Sequence, residues 1–198
     1  MNTQNNTVVK LAETALLAAL CYVSFTFLQI KIPVPGGDAT SIHIGNAFCV
    51  LAALLLGGVY GGLSGAIGMG IADIMDPVYI TGAPKTFVLK FCIGLIVGLV
   101  AKKWKFGIIP AIITGVALSF ICPAIGTPIG IYVYGGLNGS VSDMLVMSLV
   151  QGGKTIFQAS FLRNVASNLI DKIGTCIIGC LLIKAMPMRF MDNFKKEA

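Results

Sequence analysis

An all-α membrane protein is predicted: a bundle of six transmembrane helices, both termini cytoplasmic, forming a single domain over residues 1–198. Three observations carry this reading. First, 56% of the residues are hydrophobic and only 11% are charged. An ordinary soluble domain is about 25% charged, so too few charges remain to cover a water-facing surface. Second, mean hydropathy is +0.89, and the apolar residues fall in runs approaching the roughly 20 residues needed to cross a hydrocarbon core of about 30 Å. Third, glycine is abundant, at 24 residues, as expected where helix backbones approach closely with no hydrophobic force between them.

The first span is placed at about Lys10 to Ile30, too long and too poorly flanked by positive charge for a cleavable signal. A loop from Lys31 to His43 follows, rich in Pro33, Pro35, Gly36 and Gly37. The second span runs from Ile44 to Leu56, and Gly57, Gly58, Gly61 and Gly62 are expected to make a tight turn around Tyr60. A short third span reaches about Ile74, and the polar segment Asp73 to Pro84 leads into a fourth, Lys85 to Ala101. The fifth begins near Gly107, is interrupted at Pro123 and Pro128 and ends near Leu137. A mixed stretch, Asn138 to Gln158, is expected to hold a loop and a short surface helix before the sixth span, Ala159 to Ile183.

Charge distribution sets orientation. The net charge of +6 comes largely from Lys102, Lys103 and Lys105 and from Lys184, Arg189, Lys195 and Lys196. Clusters flanking spans mark cytoplasmic ends, which argues against a nucleic-acid partner. The loops 31–43, 75–84 and 138–158 then face outward. Cys21, Cys49, Cys92, Cys122, Cys176 and Cys180 form no Cys-x-x-Cys pair and read as small buried hydrophobes. His43 is the only histidine, so a multi-histidine metal centre is excluded. Neither a metal nor a cofactor is expected. Gly152-Gly153-Lys154-Thr155 mimics the end of a phosphate-binding loop, but Ser148 stands where its first glycine belongs. With no nucleophile elbow or paired catalytic set, the chain is not expected to be an enzyme.

Polar residues concentrate at the outward ends, and charges within spans are functional candidates. Asp38, His43 and Asn46 precede or open the second span, able to close over a ligand or to serve as a solvated loop and cap. Asp73 and Asp76 sit on neighbouring turns. One is expected to face a ligand and the other to cap, a divalent cation being the alternative. Pro84 opens the fourth helix as first-turn proline does, and Thr86 and Lys90 share a face. Lys90 points inward to a ligand or snorkels outward. On the sixth span Ser160, Asn164, Ser167, Asn168 and Asp171 fall on one face, describing a cup open to one side, with Arg163 and Lys172 beside it offering ion pairs instead. Tyr79, Phe87 and Tyr132 are candidate ring-stacking surfaces. Ala15 and Ala19, one turn apart, give a flat strip for another helix, equally suited to internal packing and to a partner.

The chain resembles the substrate-binding S components of energy-coupling-factor (ECF) vitamin transporters. The resemblance rests on the strip Ala15-x-x-x-Ala19, the segment Gly37-Asp38 through Asn46, Leu54-Leu55-Leu56-Gly57-Gly58-Val59-Tyr60-Gly61, Ala72-Asp73, and Ala83-Pro84-Lys85-Thr86-Phe87-Val88-Leu89-Lys90. Leu-Leu-Leu-Gly…Tyr-Gly and Pro-x-Thr-Phe…Lys look most like the hydroxymethylpyrimidine or pyridoxine subgroup, and the long 138–158 segment departs from it. The resemblance implies a small water-soluble vitamin bound at the outer face of a prokaryotic cell membrane. It also implies a membrane coupling subunit docked on the alanine strip, two cytoplasmic ATPase subunits supplying energy, and a toppling motion that releases the ligand inside. Riboflavin, pantothenate and a queuosine precursor are alternative ligands. A self-sufficient carrier is the competing class, but it needs polar groups through the whole membrane depth, and the inner halves of these spans are apolar.

Overall fold

A computed structural model of the chain describes residues 3–33, 39–77, 80–137 and 143–186, with only the backbone at 3–6, 29–33 and 39–43. The described residues form seven α-helices and one two-stranded hairpin, in the order α1 (Thr3–Phe27), β1 (Gln29–Pro33), β2 (Ala39–His43), α2 (Ile44–Leu56), α3 (Gly58–Met75), α4 (Ala83–Lys103), α5 (Ile108–Tyr134), α6 (Asp143–Gln151) and α7 (Ile156–Ala185). A short 3₁₀ turn, Ile80–Gly82, leads into α4.

Four stretches are long and apolar enough to cross a membrane: Thr7–Phe27, Ile80–Lys103, Ile108–Tyr134 and Ile156–Ala185. The 13 residues of α2 extend only about 20 Å at 1.5 Å per residue. This helix is shielded by protein instead, lying among α1, α3, α4 and α7, and ten of its residues are buried.

Glycine sets how the helices meet. Gly58 and Gly62 on α3 face Gly98 and Gly94 on α4, and a Cβ at any of the four would press into the opposite helix, at Gly94 and Gly98 onto backbone atoms of Gly62 and Gly58. Two small-x-x-x-small motifs thus meet backbone to backbone. At Gly115 of α5 a Cβ would stand 2.7 Å from the Cα of Ile173 on α7. The α1–α3 contact uses Ala18 and Cys21 against Gly68, so the inward strip of α1 is offset from Ala15 and Ala19. Both of those alanines are exposed.

A buried core of Cys49, Val50, Met69, Ile93, Val97, Leu118, Cys122 and Cys176 runs between the helices. A second cluster, Leu17, Leu51, Leu55 and Leu56, packs with Leu182 and Ile183. The helices alternate in direction. One end of the bundle carries Gly57, Lys102, Lys103 and the end of α7; the other carries the hairpin, the 80–82 turn, the end of α5 and α6.

Several sequence expectations are corrected. The segment expected as a loop contains a hairpin, with Gln29 opposite His43 and Pro33 opposite Ala39. Ile30 and Ile32 alternate with Gln29 and Lys31, the period of a strand. The turn at the end of α2 is Gly57 alone, at φ 84°, and Gly58, Tyr60, Gly61 and Gly62 already belong to α3. Pro123 and Pro128 do not interrupt α5, which runs through both; a spanning helix tolerates proline where neighbours re-satisfy the freed carbonyls. Gly135 ends α5 in the left-handed region, φ 68°, its N–H donating to the Ile131 carbonyl at 2.8 Å.

Candidate functional site

The polar face of α7 meets α2, α4 and α5 at two depths. The deeper level is a buried chain of side chains. The Lys90 Nζ donates to Asn46 Oδ1 at 2.6 Å. The Asn46 amide donates to both oxygens of Asp171, at 3.1 and 3.3 Å. Asp171 is also ion-paired with Lys172. All four residues are buried. One carboxylate therefore serves two ammonium groups, and Lys90 is further held over the ring of Phe25, 5.8 Å from its centroid. Asn46 sits in the first turn of α2, directly after the hairpin, so the hairpin's end and this chain are positioned together.

The upper level lies nearer the hairpin end. Asp171 lies seven positions beyond Asn164, about 10 Å along α7. Here a cleft of about 220 Å³, counting the open space at its mouth, is lined by Lys85, Gly126, Thr127, Gly130, Ile131, Gly136, Ser160, Arg163 and Asn164. Gly126 and Gly130 are one turn apart on α5 and supply room by lacking side chains. Arg163 donates to Asp143 at 2.6 Å and, through Nε and its other terminal nitrogen, to Asn164 Oδ1 at 3.4 and 3.2 Å. The Asn164 amide donates to the Thr127 hydroxyl at 3.0 Å. Ser160 donates to the Gly136 carbonyl at 3.1 Å. Lys85 lies over the Tyr134 ring, 5.6 Å from its centroid, and Thr81 donates to the Tyr134 hydroxyl at 3.0 Å. The cleft thus offers hydroxyls, an amide and two cations in a small, mainly polar recess, convergent groups of the kind that orient a small polar molecule.

The predicted residues divide among these levels. Asn46, Lys90 and Asp171 meet in the deep chain, and Asn164 lines the cleft. Asn168 lies between, its amide donating to the Asn164 carbonyl at 2.8 Å and its own carbonyl accepting from Ser119 at 3.3 Å. Asp73 is buried at the end of α3 and hydrogen-bonded to the side chain of Thr86, while Asp76 occupies the C-cap of α3. Phe87 is partly exposed and packs near Gly70. Tyr132 is 92% exposed and joins neither level. Asp38 and Tyr79 lie outside the described residues, as does the side chain of His43.

Sequence reasoning passed over Lys85, Thr127 and the glycine pair on α5. Lys85 and Lys90 are five residues apart on α4, about 140° around the helix, so one faces the cleft and the other the deep chain. The signal that could have found the cleft is Gly126-x-x-x-Gly130 beside Thr127. Among the described residues, no three His, Cys, Asp or Glu side chains come together as a metal site.

Toward the opposite end the buried hydroxyls turn back on their own helices. Thr14 donates to the Lys10 carbonyl, Ser64 to Tyr60 and Thr114 to Pro110. The polar site is therefore open at one end of the bundle and closed below by the apolar core.

No solved structure matches the chain. A protein of Pyrococcus woesei described as an uncharacterized protein in the gap 3′ region is 30% identical over 122 residues, which are 61% of this chain and 78% of that protein. The family described as ECF-type riboflavin transporter, S component, matches residues 5–187. Nearly the whole bundle, including both polar levels, lies within that match, and the chain belongs to the ECF-type riboflavin transporter S-component family.

Proposed function

We propose that this chain is the high-affinity vitamin-binding subunit of an ECF-type importer, energised by a separate membrane coupling subunit and two ATPase subunits. The observation that carries the reading is the one-sided polar cleft between α4, α5 and α7, backed by an apolar core. A carrier working alone needs a polar route through the full depth, and the hydroxyls of the far half are already committed to their own helix carbonyls. The proposed topology has six crossings, with α2 and α3 supplying the two short ones inside the protein. Lys102 and Lys103 then mark the cytoplasmic end, both termini are cytoplasmic, and the cleft opens outward from a prokaryotic cell membrane. The outward-facing Ala15 and Ala19 form the docking strip for the coupling subunit.

Riboflavin is the leading ligand, on the strength of the family description. The groups present suit it: Thr127, Ser160 and Asn164 can exchange hydrogen bonds with a polyol chain and a ring edge. A second reading, a single-ring vitamin of the pyridoxine or hydroxymethylpyrimidine type, asks for less widening of this narrow cleft. Either ligand requires α5 or the hairpin to move outward, a three-ring flavin further than a single ring. Asp38, His43, Asp73, Tyr79, Thr86, Phe87 and Asn168 remain candidate contacts as the site closes.

Two measurements test this. Calorimetry on ligand-stripped protein with riboflavin, pyridoxine, hydroxymethylpyrimidine and pantothenate assigns the ligand. Tight binding of riboflavin supports the first reading, and tight binding of a single-ring vitamin alone the second. Uptake by cells expressing the chain with and without coupling and ATPase subunits separates the classes. Full uptake by the chain alone overturns the proposal in favour of a self-sufficient carrier.

A further inference from the structure

We infer that α6 is a lipid-interface helix, seated in the headgroup and upper acyl region of the leaflet on the cleft side. The helix is inside out for a water-facing element. Its single charged residue, Asp143, is turned inward, buried, and paired with Arg163 at 2.6 Å. Val146 is fully buried. Met144, Leu145 and Met147 point away from the protein, 67%, 48% and 52% exposed. A surface helix in water keeps charge outside and apolar residues within. The hydroxyl of Ser148 donates to the Met144 carbonyl at 2.8 Å, so it makes no demand on solvent.

Two further observations choose lipid as the occupant. Ile156, Phe157 and Leu162 at the start of α7 are exposed as well, so the spanning helix that follows α6 is apolar on its outside from its first turns. In length, α6 has nine residues, about 13 Å, less than half of the roughly 30 Å core. It cannot cross, so it lies along the boundary as amphipathic interfacial helices do. The polar turn after it, Gly152-Gly153-Lys154, is exposed and places an ammonium group where headgroup phosphates are found.

The position of α6 bears on the cleft. Asp143 holds Arg163, Arg163 holds Asn164, and Asn164 holds Thr127. This unbroken series links the lipid-seated helix to both walls of the recess. The inference rests on the chain being embedded in a bilayer, so the test includes a control for that premise. Met147→Trp and Met144→Trp are made separately in a Trp104→Phe background, with Ile113→Trp, on the exposed apolar face of α5, as the control. Each protein is reconstituted into phosphatidylcholine–phosphatidylglycerol vesicles. Fluorescence quenching is compared for lipids brominated near the headgroup end of the chain and near its terminus.

Quenching of Met147→Trp and Met144→Trp chiefly by the shallow bromine, with Ile113→Trp quenched as well, is the expected result. Strong quenching of Ile113→Trp with neither α6 variant quenched overturns the inference alone, because α6 is then in water or under protein. If that shielding is lifted on diluting the protein in lipid, a second copy covers α6. Deeper quenching at α6 than at the interface also overturns it. Absence of quenching at Ile113→Trp removes the bilayer premise along with the inference.

Discussion

Replacing Asp171 with Asn tests whether the deep polar chain holds the bundle together. The substitution keeps the volume of the side chain but removes the one carboxylate shared by Lys172 directly and Lys90 through Asn46. Lys172 and Asp171 are both about nine-tenths or more buried, so water does not substitute for the lost partner. Breaking a buried pair by removing one member costs about 3–5 kcal/mol, because the remaining charge is left uncompensated. Removing both members is far milder. In Asp171→Asn with Lys172→Met, the new amide still bonds Asn46, Lys90 keeps Asn46 Oδ1 and the Phe25 ring as partners, and the expected loss is roughly 1 kcal/mol, the scale of one hydrogen bond. Adding Lys172→Met to Asp171→Asn should therefore recover about 2–4 kcal/mol of the stability lost in the single variant. The assay is equilibrium unfolding in mixed micelles titrated with sodium dodecyl sulfate, followed by near-ultraviolet circular dichroism. A single variant within about 1 kcal/mol of the parent, or a double variant as unstable as the single, would refute the assignment of Asp171–Lys172 as an internal pair.

Four further outcomes are expected. Asn164→Ala, which removes the amide joining Arg163 to Thr127 in the cleft, should weaken ligand binding by about 1 kcal/mol, or roughly fivefold, in calorimetry, with unfolding unchanged to within the same amount. Ala15→Trp should abolish co-purification with the coupling subunit while ligand binding persists; loss of ligand binding with intact assembly would return the strip to internal packing. Gly94→Val should destabilise the fold by about 1–3 kcal/mol, because its side chain enters the backbone of Gly62. Gly70→Ala, whose Cβ meets Phe87 at an ordinary 3.5 Å, should be neutral or slightly stabilising in the same melt.

Some of this was legible in the sequence because it depends on one helix at a time. The span Ile44–Leu56 coincides with α2, since a polar segment and a glycine bound a run whose one polar side chain is Asn46. The polar stripe on α7 follows from helical period alone, and so does the choice of Lys90. What escaped depends on two elements at once. Lys85 enters the cleft because Gly130 of α5 leaves room opposite it, while Gly126 accommodates Leu89, and nothing in residues 83–90 announces that. Arg163 reads as a flank until α6 brings Asp143 within 2.6 Å. Gly58, Gly61 and Gly62 suggest a turn by composition, yet they serve as a contact surface for α2 and α4, and a helix in lipid accepts them where a helix in water would be weakened.

The glycine seams also distribute stiffness unevenly. Where Gly58 and Gly62 meet Gly98 and Gly94, and where Gly115 meets Ile173, backbones touch with no side chain between them to change rotamer. Those two helix pairs, α3 with α4 and α5 with α7, resist deformation as units. Between them, α4 faces α5 across Lys85, Thr127 and empty space. The compliant joint of the molecule is thus the one that holds the recess, and a ligand lodged there acts as a wedge or as a strut. A molecule that fills the joint ties the two stiff pairs to each other, so the bound bundle is expected to deform less than the empty one.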